Sequence, residues 1–256
     1  MHKRVAIAGS GISGLMAAWA CEKSGMWIDG IIYSNSLIKP IVSGFQYLHE
    51  ECELPLSHSS VLYESIVSNN YPFDICADLY SHKVYGKFGI HNSISKLEKS
   101  NSEKRIWNLQ EANDFLWLKY KDNIKERNFV EFEDLQQLGL EFDLVISTIP
   151  MDVFFPQCES VDAYVMVKRT EEKSNKVFYD ISPENSIYRY GHVFGDFFIE
   201  SKDKIFENSR KVKKVIPSTY ACDIPENMLI TGRYGEWNKS VLANDVFDKV
   251  KEFLNG

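Results

Sequence analysis

The sequence predicts an α/β protein: a discontinuous, Rossmann-type nucleotide-binding domain with a smaller α+β domain inserted into it. Three observations predict this class. A buried strand, a glycine-rich turn and a helix follow one another at the N-terminus, apolar strands typical of a parallel sheet recur in the middle and near the end, and the sequence between them alternates as antiparallel strands do. The expected nucleotide-binding domain comprises residues 1–50, 125–150 and 222–256, and the expected inserted domain residues 51–124 and 151–221.

Composition narrows the classes of function. The chain has 256 residues with 29 basic and 36 acidic side chains, a net charge of −7, which argues against a surface that wraps nucleic acid. Five cysteines without a C-x-x-C pair are typical of reduced thiols, and no cluster has metal-site spacing, so we expect no metal. Without an apolar run of about 18 residues or a leader-like start, we expect a cytoplasmic protein without a membrane segment.

The N-terminal segment contains the first β-turn-α-β unit. Val5–Ala8 is a short apolar run, residues 15–23 form a helix of small and apolar side chains, and 27–33 form a second strand. The remaining predicted elements are helix or strand over 61–90, a helix over 106–124, a strand over 128–132, a buried strand over 141–150, antiparallel strands over 161–200, a short strand over 228–233 and a helix over 239–254.

The turn between the first strand and helix has the G-x-G-x-x-G pattern. Gly9 permits a tight turn, Gly11 lets the backbone approach a pyrophosphate, and Gly14 lets the helix pack close to the strand. Free N–H groups at the helix N-terminus favour phosphates. The candidate dinucleotide-binding residues of this turn are Gly9, Ser10, Gly11, Ile12, Ser13 and Gly14.

The fingerprint lacks one residue. An acid about 20 residues beyond the glycines normally binds the adenosine ribose, but Ser34 and Asn35 occupy this region. A hydroxyl and an amide bond ribose hydroxyls more weakly than a carboxylate does.

Three segments, RVAIAGSGISGLMAA at 4–18, EFDLVISTIP at 141–150 and LITGRYGEW at 229–237, resemble flavoproteins of the UDP-galactopyranose mutase and amine oxidase group. The resemblance implies an N-terminal dinucleotide fold that binds FAD, and a C-terminal Gly-Arg turn that contacts the pyrophosphate and flavin. Besides the glycine turn, Ser34 and Asn35, the FAD-contacting residues that it implies are Gly44, Val130, Thr148, Gly232, Arg233, Trp237 and Val241. Trp237 is interpreted either as a wall of the flavin site or as core.

The loop over 44–49 is similar to the loop that passes over the isoalloxazine in the mutases. Gln46 stands where the mutases have their first histidine, and His49 keeps the second. The resemblance therefore implies Gln46 and His49 as candidate catalytic residues beside the flavin.

A closer resemblance is to short phage-encoded flavoproteins, carried by GFQYLH at 44–49, KVYG at 83–86, the tryptophan-bearing helix at 106–120, SIYR at 186–189 and GRYGEWNKSVL at 232–242. Some of these relatives are flavin-dependent lyases of thymidine hypermodification, which remove a glycyl group from the thymine methyl carbon. The resemblance implies location in the host cytoplasm for a phage-encoded chain.

Such a substrate has a carboxylate that one fixed arginine can bind. Arg189 is the first candidate, because strand alternation places it opposite its tyrosine neighbours, and Arg169 is the second; a solvated arginine is the alternative. Tyr80, Tyr85 and Tyr188 form either an aromatic box for a flat base or a tyrosine-rich core.

One basic strip interrupts the acidic chain. Its cations are Lys202, Lys204, Arg210, Lys211, Lys213 and Lys214. It is either a contact to DNA phosphates or a solvated loop.

The sequence thus predicts an FAD-dependent oxidoreductase or lyase that oxidises or cleaves a C–N bond of an amine or amino-acid-like group. Its partner is a small molecule or modified nucleoside, with glycyl-modified thymidine as the specific candidate. Two alternatives are a UDP-galactopyranose mutase-like isomerase and a flavin-binding protein without turnover.

Overall fold

The computed structural model describes residues 3–27, 30–42, 44–47, 53–55, 59–67, 71–90, 102–172, 174–218 and 222–255. In chain order the elements are β1 (Val5–Ala8), α1 (Ile12–Lys23), β2 (Ile31–Ser34), β3 (Phe45–Tyr47), β4 (Ser59–Val67), α2 (Phe73–Tyr85), β5 (Ser102–Asn108), α3 (Leu109–Tyr120), β6 (Ile124–Glu126), α4 (Phe132–Glu141), β7 (Leu144–Ser147), β8 (Ser160–Arg169), β9 (Lys176–Asp180), β10 (Ile187–Val193), β11 (Asp196–Ser201), β12 (Arg210–Val215), β13 (Met228–Ile230) and α5 (Ala243–Asn255). Among these described helices, none is both long enough and apolar enough to cross a bilayer.

The chain divides into two compact units. Unit 1 comprises Met1–Ser57, Leu109–Glu159 and Pro217–Gly256, and unit 2 comprises His58–Asn108 and Ser160–Ile216. This division places in unit 1 four ranges that the sequence assigns to the inserted domain: 51–57, 109–124, 151–159 and 217–221.

Unit 1 is built on a five-stranded parallel sheet in the order β13-β7-β1-β2-β6. The strands β1 and β7 at its centre are buried along their whole length, as their apolar sequences predict. Helix α1 is apolar on nearly all sides because it packs against α5 and α3 as well as the sheet. The C-terminal ends of β1, β2, β7 and β13 lie along one edge of this sheet, where parallel sheets place their ligand sites.

Unit 2 is a twisted sheet in which the strands follow the order β12-β8-β11-β10-β9-β4-β5. The pairs are antiparallel except for β4 and β9, which run parallel. Helix α2 packs against this sheet through Tyr80, whose ring contacts those of Tyr179 and Tyr188. We call the side of the sheet that carries Tyr179 the α2 face.

Two predicted elements were wrong. The helix expected over 106–124 begins only at Leu109, because Ile106 and Trp107 belong to β5 and are buried there, with Trp107 opposite Ser59 of β4. The strand expected over 128–132 is a loop followed by the start of α4. The Asp134 carboxylate accepts hydrogen bonds from the amides of Val130 (2.7 Å) and Glu131 (3.0 Å), which starts a helix at this point.

The boundaries of three other elements differ from those that the sequence predicts. The ambiguous segment 61–90 contains both a strand, β4, and a helix, α2. The second strand begins at Ile31 rather than at 27. The C-terminal helix begins at Ala243 rather than at 239, because Lys239 and Ser240 lie in a turn.

Candidate functional site

The glycine-rich turn is so tightly packed that two of its positions exclude any side chain. Gly9 has φ +107°, and its amide donates to the Tyr33 carbonyl at 2.8 Å. A Cβ atom on Gly9 would lie 2.5 Å from the Thr148 hydroxyl oxygen, and one on Gly14 would lie 1.8 Å from the Gly9 carbonyl oxygen. Both glycines are therefore required for the fold itself.

Gly11 is different, because no heavy atom of the described residues, apart from its own chain neighbours, lies within 4 Å of the place where its Cβ would be. It is the N-cap residue of α1 in an ordinary extended conformation, with φ −67° and ψ 175°. As a glycine it has no side chain that could cap the first-turn amides, and no acidic residue occupies that described turn. The N-terminus of α1, with Ile12 and Ser13 half-buried in its first turn, therefore offers an anion an open approach.

Ser34, the predicted ribose contact, joins the glycine turn to β2. Its hydroxyl lies 2.7 Å from the Ser10 hydroxyl, and it also accepts a hydrogen bond from the Ser36 amide at 3.3 Å. Ser10 and Ser34 are both buried, whereas the neighbouring Asn35 is exposed at the end of the strand. Asn35 is thus the more accessible of the two predicted ribose-binding residues.

The C-terminal turn lies beside the first turn of α1. Gly232 has φ +86°, and a Cβ on it would lie 2.9 Å from the Cβ and the hydroxyl oxygen of Ser13 and 3.9 Å from the Thr148 Cβ. Thr148 in turn donates from its hydroxyl to the Ala8 carbonyl at 3.2 Å. The structure therefore brings together the predicted residues of three separate segments: the glycine turn, Thr148 and Gly232.

Two cations follow Gly232 in this turn. Arg233 is half-buried and donates from Nε to the Val241 carbonyl at 3.4 Å. Burial, together with the positive charge of Arg233, lowers the pKa of Lys239 to about 8. Two half-buried cations in one turn favour an anionic ligand nearby. Sequence reasoning missed Lys239; its position six residues after Arg233 in a turn was the available signal.

A hydrogen-bond network that begins at the buried Thr231 stabilises the same turn, and sequence reasoning missed it too. The fully buried Thr231 donates its hydroxyl to Glu236 at 3.0 Å. Both carboxylate oxygens of Glu236 accept from the Lys249 ammonium of α5 at 2.6 Å. The network ties the turn to α5, which itself packs on α1.

Trp237 and Val241 are core residues. Trp237 is fully buried at φ +49°, and its indole N–H donates to the Glu159 carbonyl at 2.9 Å. Val241 is buried as well, and its carbonyl is the acceptor for Arg233. Of the two interpretations given for Trp237, the core interpretation therefore agrees with its burial, and the side chain of Val241 is not available to a ligand.

Three further predicted site residues, the catalytic candidate Gln46 and the cofactor candidates Gly44 and Val130, have structural partners. The side-chain oxygen of Gln46 accepts from the Ala243 amide at 3.0 Å and so caps α5. Gly44 has φ +94°, and its carbonyl accepts from the Leu109 amide at 3.1 Å. Val130 is exposed, but its N–H is used by Asp134. His49 lies outside the described residues.

Arg189 of unit 2 already has a carboxylate partner. Its guanidinium bonds the buried Glu200 at 2.5 Å, and the Lys214 ammonium bonds the same carboxylate at 2.7 Å. Burial opposes ionisation of Glu200, but the charges and hydrogen bonds of Arg189 and Lys214 outweigh it and lower the pKa of Glu200 to about 2. Arg189 and Lys214 thus share the carboxylate of Glu200.

Strand alternation predicted that both tyrosine neighbours of Arg189 lie on the opposite face of the sheet, and this prediction was wrong for Tyr188. The register of β10 shifts between Ile187 and Arg189, which is a β-bulge. Tyr188 consequently lies on the α2 face together with Arg189, with Lys214 over its ring at 5.6 Å, whereas Tyr190 lies on the opposite face against Phe178.

The three tyrosines of the predicted aromatic box and Arg169, the second carboxylate-binding candidate, also have neighbours in unit 2. Tyr80 and Tyr85 of α2 and Tyr188 of β10 are all buried, which agrees with a tyrosine-rich core. Arg169 is largely exposed and pairs with Asp196 at 3.2 Å.

The basic strip over 202–214 ends in β12, whose alternation divides its cations between the two faces of the sheet. Lys214 reaches Glu200 on the α2 face, and Lys211 pairs with Asp162 at 2.7 Å on the other. Lysines on a described strand at the end of the sheet order discourage pairing with other strands. No group of three potential metal ligands occurs among the described residues.

No protein-family model matches this chain, and no curated protein matches it. Solved structures do. Reduced UDP-galactopyranose mutase has a TM-score of 0.60 at 12% identity, covering 99% of this chain and 95% of that one. The structure of 2,6-dihydroxypyridine-3-hydroxylase from Arthrobacter nicotinovorans has a TM-score of 0.56 at 10% identity, covering 100% of this chain and 84% of that one. CtdE in complex with FAD has a TM-score of 0.51 at 12% identity, covering 100% of this chain and 86% of that one. The chain therefore has the Rossmann-type α/β fold of these proteins, and the predicted fold class is confirmed.

Proposed function

We propose that this chain is an FAD-dependent oxidoreductase. The observation that carries the proposal is the open space at Gly11, at the N-terminus of α1. At the other two glycines of this turn, Gly9 and Gly14, a Cβ atom would clash with neighbouring atoms. Folding does not require a glycine at position 11, but a pyrophosphate would approach the backbone there. A bound ligand therefore explains why this residue is a glycine. The fold shared with CtdE, a structure solved with FAD, supports this choice of dinucleotide.

The described residues of this site fit FAD. The first-turn amides of α1 would hold the pyrophosphate, with Arg233 and Lys239 supplying positive charge nearby, and Asn35 stands at the end of β2 for the ribose. When bound, FAD supplies a two-electron acceptor for hydride. The protein's own contribution is to bind the cofactor, to keep Gly232 and Arg233 against α1 through the Thr231–Glu236–Lys249 network, and to orient the substrate.

For the substrate we propose an amine or amino-acid-like group whose C–N bond is oxidised, with glycyl-modified thymidine as the specific candidate. Loss of two electrons and a proton from the glycyl N–CH2 unit, followed by addition of water, would release glyoxylate and leave aminomethyl-deoxyuridine. The guanidinium of Arg189 is held in place by the buried carboxylate of Glu200, and a fixed guanidinium of this kind supports Arg189 as the contact to the glycyl carboxylate. Contact to DNA through the basic strip belongs to the same proposal.

The first test is an absorbance spectrum of the purified full-length protein before and after heat release of the chromophore. We expect bands near about 370 and 450 nm and FAD, not FMN, in the supernatant, because the isoalloxazine ring absorbs there and the site is built for a dinucleotide. Anaerobic addition of glycyl-modified thymidine should then bleach the longer-wavelength band and release glyoxylate. A colourless protein that also takes up no added FAD contradicts the flavin proposal.

A second candidate is a mutase-like sugar isomerase, which the extent of the structural match favours, since it spans 95% of UDP-galactopyranose mutase. Such an enzyme would not be bleached by an amine, but its chemically reduced form would respond to UDP-galactose. Bound FAD that responds to neither ligand would instead support a flavin-binding protein without turnover.

A further inference from the structure

Unit 2 contains a cavity that none of these functions uses. It measures about 340 Å³ and is lined by Tyr63 and Ser65 of β4 and by Lys176 and Phe178 of β9. Tyr63 lies opposite Lys176, and Ser65 lies opposite Phe178, so the four side chains stand on one side of the sheet. We call this side the Phe178 face; it is the reverse of the α2 face. The volume is at the lower end of the range for small-molecule sites, roughly 300–1,000 Å³.

Phe178 offers the cavity an aromatic surface. Tyr190, its neighbour on β10, stacks against one side of its ring with centroids 5.2 Å apart and an interplanar angle of 22°. The other side of the ring is therefore turned toward β4, where the small Ser65 stands directly opposite. A flat ring stacked on Phe178 would occupy the space above Ser65.

Tyr63 stands at the far side of this space. Strand spacing and rise put diagonal neighbours such as Tyr63 and Phe178 about 8 Å apart. Two carbon contact distances of about 4 Å each fill that separation, so one flat ring fits between the two aromatic side chains.

Lys176 adds a charge to the cavity. In the part of the chain that the structure describes, its exposed ammonium has no ion-pair or hydrogen-bond partner, and neither do the hydroxyls of Tyr63 and Ser65. Lys176 and Phe178 are two residues apart on one strand, about 6.6 Å. A ligand that used both would carry an anion separated from its flat ring by a spacer.

We propose that this cavity binds a free nucleotide, with the base stacked on Phe178 above Ser65 and the phosphate paired with Lys176. A nucleotide has the required parts in the required order: a flat base with polar edges for the two hydroxyls, a sugar as spacer, and an anionic phosphate. One such unit matches the cavity volume of about 340 Å³. The proposal does not depend on flavin binding.

The test is equilibrium dialysis of the full-length protein against labelled thymidine 5′-monophosphate. We expect saturable binding, weaker by about tenfold or more for thymidine because it lacks the phosphate. Phe178→Leu and Lys176→Met should each reduce affinity by about tenfold. Ser65→Leu, which fills the space above Ser65, should abolish binding, whereas Ser65→Ala should retain it.

Lys168→Met is the matched control, because Lys168 lies on the Phe178 face three strands from Lys176. It should bind like the wild type. Equal losses in Lys168→Met and Lys176→Met, or no saturable binding below about 1 mM, would overturn the proposal. Benzoate binding as tightly as the nucleotide would overturn it as well, since benzoate has a ring and an anion without a spacer.

An oligothymidylate distinguishes the source of the nucleotide. If it binds more tightly than the mononucleotide, a strand rather than a free nucleotide occupies the site, and the proposal is wrong in that respect. Lys176 is exposed and Ser65 half-buried, so their variants keep the test decisive even if Phe178→Leu fails to fold. The readout does not involve flavin, so its failure and that of the flavin proposal are separable.

Discussion

The position that a Cβ atom of Gly14 would occupy lies 1.8 Å from the carbonyl oxygen of Gly9. Helix α1 thus crosses the end of β1 with space for a hydrogen atom only. Gly14→Ala should therefore lower the free energy of unfolding by about 3 kcal/mol, because backbone must shift to admit the methyl group. Urea denaturation measures this loss. Gly11→Ala is the control, and as a helix N-cap change in open space it should lose no more than about 1 kcal/mol; equal losses would show that the close packing has no energetic consequence.

Gly11 separates folding from ligand binding. Gly11→Val places a larger side chain in open space at a φ that valine adopts, so the melting temperature of the flavin-free protein should change little. FAD affinity should fall at least about tenfold, since the side chain would stand where charge-assisted hydrogen bonds to the pyrophosphate form. Fluorescence titration with FAD measures the loss, with Gly11→Ala expected to lie between valine and the wild type. Unchanged affinity in the valine variant would place the pyrophosphate elsewhere.

The cluster around Glu200 predicts acid sensitivity. The pKa of Glu200 is about 2 in the folded protein, below its ordinary value of 4.5. A lowered carboxyl pKa contributes stability that is fully present above about pH 5 and is lost as the pH falls through 4.5 toward 2, on the order of 3 kcal/mol for this shift.

Unfolding measured between pH 5 and pH 2 checks this expectation. Lys214→Met keeps the Arg189–Glu200 pair but removes one cation, so the variant should lose less stability across this window than the wild type does. Parallel pH profiles for the two proteins would contradict the assignment.

Lys239 predicts pH-dependent cofactor affinity. Its pKa of about 8 means that it loses its charge as the pH rises from 7 to 9. An anion bound nearby favours the charged form, so FAD affinity should fall several-fold over this range. Titrations with FAD at several pH values measure the trend. Lys239→Met should bind more weakly at pH 7 and show a flatter profile; an unchanged slope would mean that Lys239 does not face the anion.

Much of unit 1 could be predicted from sequence because its signals are local. The buried strand, the glycine turn and the helix are consecutive, and Gly14 packs against the carbonyl of the nearby Gly9. The antiparallel character of unit 2 was likewise visible in its alternation. Where alternation failed, as for Tyr188, a β-bulge had shifted the register, and a bulge leaves no reliable mark in a single sequence.

The assignments that failed or stayed open depend on contacts between distant residues. Trp107 is part of a strand because it pairs with Ser59, although the sequence around it has helical spacing. Gln46 caps a helix that begins 197 positions later in the chain, at Ala243. Arg189 has a carboxylate partner because β11 places Glu200 opposite it.

The sequence by itself determined the fold class and the glycine turn with its open N-terminus, since these follow from short-range hydrophobic pattern and backbone freedom. The tertiary structure alone decided which polar side chains are available to ligands. It buried Trp237, paired Arg189, brought Gly232 against Ser13 and set Lys239 near Arg233. The physical reason is that burial and charge pairing are properties of neighbours in space, and those neighbours come from segments that are far apart in sequence, as Ser13 and Gly232 are.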